Sequence, residues 1–257
     1  MPLKKLPPEI TDTIINLLRN DNRSLTACSL TCKQWLPSAR CCLFSEIKMT
    51  PHHIGSLLMF LKSAKADIPL MVRQLVVDDF SEWALANDNL PYGKIRRILL
   101  LLRRVERLRV SNCYSVITAS VVSVLTSVRE LEMIDMRLKN VAQALQFVYT
   151  FPLLQNLSIV NLSLASSSLQ PSEYDVSPGL PSFSLHSLIL DKGTFAIIAK
   201  WLLGLNPVPP IHTLRRHAYE LSTPRSDAAL LHSVGASLHT LELKFWNYLQ
   251  NCCSGMC

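Results

Sequence analysis

One spaced pattern governs what this chain can fold into: an apolar residue, two variable positions, a leucine, one variable position and a second apolar residue. It occurs at Val72/Leu75/Val77, Val105/Leu108/Val110, Val128/Leu131/Met133, Leu154/Leu157/Ile159, Leu185/Leu188/Leu190 and Leu238/Leu241/Leu243, with a half-match at Ile211/Leu214. From Leu75 to Leu241 the central leucines are separated by 33, 23, 26, 31, 26 and 27 residues. Alternation with period two turns the leucine and the residue two places on toward the same side of a short strand. Between the strands run helical stripes. Val141, Ala144, Leu145 and Val148 share one face; Thr194 is placed to cap a helix from Phe195 to Leu203 that Gly204 ends; Ser226 precedes Ala228 to Val234 and Gly235. A strand–helix unit of this size hides its apolar side only against its neighbours, so the array stands or falls as a stack. The fold class expected is α/β, with parallel strands and outer helices; an ordinary layered parallel α/β structure is the competing architecture. Ser166 to Phe183, rich in Ser and Pro, reads as an exposed loop, and Asp78 to Gly93, with Trp83 and Asn87-Asp88-Asn89, as a segment wrapping an edge.

Residues 6–47 follow a different rule. Pro7 or Pro8 can open a helix at its first position, where a missing N–H costs nothing. Leu6, Ile10, Ile14, Leu17 and Leu18 then fall mostly at spacings of three and four, which places them on one face. Asp21-Asn22 with Ser24 supplies turn and cap chemistry. A second stripe runs Leu25, Cys28, Cys32, Trp35 with Leu36 alongside; Pro37 ends that helix or opens the next, and Ala39, Cys42, Leu43 and Phe44 make a short third element. Three helices in about forty residues are too small to bury this much apolar surface among themselves. Leaving six such side chains half exposed forfeits on the order of 5 kcal/mol. Either the following domain or a second protein must cover them.

Leu6-Pro7-Pro8-Glu9-Ile10 resembles the leucine–proline–x–glutamate–isoleucine opening of the F-box, and Leu25, Cys28-Ser29-Leu30-Thr31-Cys32-Lys33-Gln34-Trp35 and Leu43-Phe44 follow its second half in order and spacing. The resemblance, to fungal-type F-box proteins, covers about forty residues. It departs at Phe44, where the family often has Trp, and at Pro37 directly after Trp35-Leu36. It implies that this segment docks on the Skp-type adaptor of cullin–RING ubiquitin ligases, with Leu6, Pro7, Ile10, Leu17, Leu25, Cys28, Cys32 and Trp35 as contact or supporting residues. The remainder resembles the leucine-rich-repeat domains that often follow an F-box, whose repeats run about 20–29 residues. Of the Asn or Cys that such repeats place after the second inward residue, only Cys113 matches. The division expected is therefore 1–48, adaptor-binding, and 49–257, an irregular repeat array binding a target protein. The function expected is that of a substrate-recognition subunit of a Skp–cullin–F-box ligase; the alternative is a scaffold that keeps the F-box-like end without joining a ligase.

In such an array the residues between the inward positions face the concave side of the sheet. Here they include Arg107, Arg109, Glu130, Glu132, Asn156, Ser158, Arg215 and Glu242, with Ser187, Ile189 and Thr240. Two Arg beside two Glu suit either self-compensating charge or a partner of mixed polarity. The net charge of +7 is spread and mixed in sign. Its densest patch, Lys94, Arg96, Arg97, Arg103, Arg104, Arg107 and Arg109, is broken by an apolar run and diluted by Glu106, Glu130 and Glu132. That argues against a nucleic-acid surface. No leader-like run follows Lys4-Lys5, which predicts a cytoplasmic or nuclear location and reduced thiols for the eight cysteines. Neither Cys28/Cys32 nor Cys41-Cys42 completes a metal site, and no cofactor or catalytic constellation is expected: the seven glycines form no phosphate loop, no nucleophile elbow occurs, and His52-His53 cannot share a helix face. No stretch is apolar and long enough to span a membrane.

Overall fold

The structure is a computed structural model that describes residues 7–63, 67–80, 92–113, 119–165, 184–205, 207–218 and 224–245. Leu6, the Trp83 segment from 81 to 91 and the Ser/Pro-rich stretch 166–183 lie outside the described residues.

Three helices come first. Pro7 is the extended residue before α1 (Pro8–Leu17), and Pro8 opens the helix. Asp21 caps α2 (Asn22–Thr31) by accepting the Arg23 and Ser24 N–H groups at 3.1 Å each. α2 stops four residues before Trp35, where the expected stripe would have continued. Cys32 is extended, and Trp35 precedes α3 (Leu36–Leu43) instead of ending α2. The reason is Pro37, whose ring fixes a helical φ at the first turn of a new helix while denying an N–H to an old one. Ile15, Leu25, Cys28, Ala39 and Cys42 form a small core, with Leu18, Trp35 and Leu43 packed against it. It is separate from the core of the sheet.

The sheet starts at β1 (Glu46–Met49), so residues 46–48 belong to it and not to the helical segment. There follow α4 (Ile54–Ser63), α5 (Asp67–Met71), β2 (Gln74–Asp78), α6 (Tyr92–Leu101), β3 (Arg107–Ser111), α7 (Ala119–Val122), β4 (Glu130–Ile134), β5 (Arg137–Leu138), α8 (Val141–Tyr149), β6 (Asn156–Val160), β7 (Ser163–Leu164), β8 (Ser187–Asp191), α9 (Lys192–Leu203), β9 (Thr213–Ala218), α10 (Pro224–Val234) and β10 (Thr240–Phe245). The protein is α/β: β1-β2-β3-β4-β6-β8-β9-β10 lie side by side in chain order, every pairing parallel, and β5 and β7 make a second two-stranded sheet.

The register follows the repeat pattern. Leu75, Leu108, Leu131, Leu157, Leu188 and Leu214 stand opposite one another across the sheet, each at most 2% exposed. At the far edge Leu241 continues the row but is 45% exposed. The next inward row is Val77, Val110, Met133, Ile159 and Leu190, followed by Arg216. The Arg216 guanidinium lies 4.6 Å over the Phe195 ring, and burial pulls its pKa down.

Two regularities place the strands. The carbonyl before one strand accepts two N–H groups at the start of the next: Ser45 O from Arg73 and Gln74, Arg73 O from Glu106 and Arg107, and so on through His212 O from His239 and Thr240. At the other end, Asp79, Asn112, Asp135 and Asn161 directly follow strands with φ between 50° and 64°. Short polar side chains tolerate this left-handed conformation best, so they turn the chain at each exit. The next residues, Phe80, Cys113 and Met136, then drop into the core. Turn chemistry thus sits one residue before the position where an Asn was expected.

Burial pushes the Cys113 thiol up to about 12, and Cys28 and Cys42 are buried while Cys32 and Cys41 are exposed. A thiol labels as its thiolate. A maleimide at pH 7.5 is therefore expected to modify Cys32 and Cys41 in the native protein and Cys113 only after unfolding. Prompt labelling of the Cys113 peptide, read by mass spectrometry, contradicts this packing.

Candidate functional site

Two surfaces carry the residues singled out from the sequence. The first is α1 and its neighbours. Helix α1 is apolar on two sides. Thr11 and Ile15, four residues apart, face the small core, while Ile10, Ile14 and Leu17 form a separate stripe exposed by 49%, 40% and 81%. On α2, Leu25 and Cys28 are buried in the segment's own core and Leu30 is 82% exposed. Pro7 and Cys32 are exposed and Trp35 is half-buried. Of the expected adaptor-binding residues, Pro7, Ile10, Leu17 and Cys32 thus reach solvent, and Leu25 and Cys28 support them from beneath. Ile14 was read within the same stripe as Ile10 and Leu17. Leu30 lies off the i, i+3, i+4 series, and only its exposure marks it.

The second surface is the solvent face of the sheet. Parallel register aligns Gln74, Arg107, Glu130, Asn156 and Ser187 in one row and Arg109, Glu132, Ser158 and Ile189 in the next. Together they line a concavity of about 250 Å³. The structure brings together Arg107, Arg109, Glu130, Glu132, Asn156 and Ser158 as expected, and adds Gln74, which the pattern had not marked. Arg215 and Glu242 lie in the same row as Arg109 but on β9 and β10, outside the concavity. Successive strands are about 4.8 Å apart, so Arg215 stands roughly 19 Å from Arg109.

Charge here is partly spent internally. Arg109 Nε donates to Glu132 Oε2 at 2.6 Å, and Arg215 Nε to Glu242 Oε2 at 2.8 Å. Both pairs are solvent-exposed, so each contributes well under about 1 kcal/mol to stability. Their effect is to fix side-chain geometry on the solvent face of the sheet. Arg107 and Glu130 are register partners but make no ion pair with each other among the described residues, which leaves both available to a partner of mixed charge. At the rim, Asp78 accepts from Lys48 at 2.7 Å, from Ser111 at 2.7 Å and from Asn112 at 3.2 Å. Burial pushes its carboxyl up, but these three hydrogen bonds together hold it below the usual carboxylate range.

Where the strands begin, His186, His212 and His239 form a ladder: the first two rings stack at 4.9 Å, and the third meets His212 edge-on at 5.1 Å. Parallel register alone brings these three side chains together. The signal was present, since each directly precedes a strand one repeat after the last. Among the described residues no group of His, Cys, Asp and Glu side chains is placed to hold a metal, and no helix is long and apolar enough to cross a membrane.

No family model matches the chain. No curated protein matches it either. Among solved structures the chain is similar to a structure of Chaetomium Mex67:Mtr2 subunits, at 12% identity, covering 73% of this chain and 88% of that one with a TM-score of 0.26, a superposition too loose to bear on function.

Proposed function

We propose that the chain is a substrate-receptor subunit of a Skp–cullin–F-box ubiquitin ligase, in which the three-helix segment docks on a Skp-type adaptor and a leucine-rich-repeat solenoid holds a target protein. One observation carries the reading. The segment builds its own core from Ile15, Leu25, Cys28, Ala39 and Cys42 and still leaves Ile10, Ile14, Leu17 and Leu30 exposed, with the sheet core covering none of them. Apolar stripes left outside a folded domain mark interaction sites, and a helix stripe at i, i+4 and i+7 suits docking against a partner's groove. The F-box-like order of residues from Pro7 to Phe44 supports the identity of that partner. The solvent face of the sheet, with Arg107 and Glu130 in its concavity, is the surface proposed for the target. Catalysis in this reading is positioning: the receptor raises the effective concentration of the target at the transfer machinery and forms no bond itself.

The test is co-expression with a Skp-type adaptor. Ile10→Ser with Leu17→Ser alters exposed side chains only, so the melting temperature is expected to stay within a few degrees. Truncating anchors of this kind weakens binding by about tenfold or more for each, so adaptor recovery should collapse. A variant that co-purifies as well as the parent sinks the docking face. Cullin in the same pull-down separates a ligase subunit from an F-box-like scaffold, which would bring the adaptor without it.

A further inference from the structure

We propose that the cleft between the three-helix segment and the first strands of the sheet binds a compact phosphate-bearing anion, gripped by Arg19, Arg73 and Arg104. The cleft is about 440 Å³, within the range of about 300–1,000 Å³ typical of small-ligand sites. Its three lining arginines come from distant parts of the chain: Arg19 from the turn after α1, Arg73 from the residue that leads into β2, and Arg104 from the turn after α6. Arg19 and Arg104 are exposed and form no ion pair among the described residues. Arg73 donates one N–H to Glu106 at 2.9 Å, and its remaining donors are not spent on that bond. Opposing them in the lining is a single carboxylate, Asp67.

The contrast with the concavity on the sheet face decides the ligand class. There two Arg are matched by two Glu. In the cleft three Arg face one Asp, and even with Glu106 offsetting Arg73 a positive excess remains. Guanidinium groups present paired N–H donors that fit phosphate oxygens two at a time, so converging arginines select phosphate over a singly charged carboxylate. Asn16 lines the same cleft; its Oδ1 accepts the Cys42 thiol at 3.3 Å, and its amide NH₂ is a neutral donor of the kind a phosphate oxygen accepts. Neither α1's exposed stripe nor the sheet face takes part, so this inference does not rest on the adaptor-docking reading.

Inorganic pyrophosphate is the probe, titrated calorimetrically into the full chain with sulfate at equal ionic strength as the comparison. Saturable binding of one pyrophosphate per chain is expected, with sulfate, which brings fewer charged oxygens, binding more weakly. Arg19→Ala with Arg104→Ala should weaken it about a hundredfold, at about tenfold for each charged hydrogen-bonding partner lost. Arg19→Lys with Arg104→Lys, which keeps the charge but not the fork, should fall between. Asp67→Asn should tighten binding. Because all three positions are exposed, the melting temperature without ligand should not move, and adaptor recovery should be unaffected. Absence of saturable heat, equal binding of sulfate, or a double alanine variant that binds like the parent overturns the proposal.

Discussion

Leu131→Ala is expected to cost about 3–5 kcal/mol of unfolding free energy, while Leu241→Ala, the same chemical change in the same row, costs less than about 1 kcal/mol. Leu131 is 1% exposed and sits between Leu108 and Leu157 in the central strands. Removing its isobutyl group loses the transfer free energy and leaves a cavity that its neighbours, locked in register on both sides, cannot collapse to fill. Leu241 stands at the last strand with 45% exposure, so truncating its side chain leaves a space open to water and not a closed cavity. Urea denaturation of the two variants measures the difference. The stacked architecture adds a second expectation: each unit is held by its neighbours, so Leu131→Ala should lower the hydrogen-exchange protection of β3 and β6 as well as β4. Equal costs at the two positions would mean that the row of leucines is not the continuous core described above.

Asp191→Ala is expected to cost about 3 kcal/mol or more. The Asp191 side chain is 6% exposed and accepts three hydrogen bonds: the Asn161 N–H at 2.5 Å, the Thr194 N–H at 2.9 Å and the Thr194 hydroxyl at 2.6 Å. It thereby caps α9 and also ties the left-handed turn after β6 to the end of β8. A lost N-cap costs about 0.5–2 kcal/mol, and each buried donor left without an acceptor about 1–3 kcal/mol. The Thr194 hydroxyl has the Ile159 carbonyl at 3.4 Å as a second acceptor, so the two backbone N–H groups carry most of the loss. Asp191→Asn keeps one acceptor oxygen and should lose about half as much. Chemical denaturation that finds Asp191→Ala as stable as the parent would show that neither contact contributes.

Much of the architecture could be read from residues alone because period-two alternation and register are local properties. Each spaced leucine predicted its strand, and the strands from β2 to β10 that carry the pattern lie where it put them, down to the half-match at Ile211/Leu214 that became β9. Ends of helices were harder. Thr194 was placed to cap α9, yet Asp191 does so and Thr194 supplies the donor; both are good caps, and which one faces the helix depends on where β8 ends. Likewise α10 begins at Pro224, four residues before Ala228, where the stretch preceded by Ser226 was expected to start, because proline is pre-organised for a first helical position. The strand-exit turns are not legible in the sequence for a related reason: an Asp or Asn after a strand is common, and only parallel stacking shows Asp79, Asn112, Asp135 and Asn161 performing one task in successive units.

By itself the sequence determined where the strands fall and which side chains share a face, since apolar spacing needs nothing beyond nearest neighbours to be effective. The tertiary structure alone decided what stays in the open. It turned Ile10, Ile14 and Leu17 outward while Ile15 went in, and it brought Arg19, Arg73 and Arg104, up to 85 residues apart, to the rim of one cleft. The physical reason is that a shared face is set by local pattern, whereas burial, exposure and convergence depend on which distant surfaces meet when the units stack.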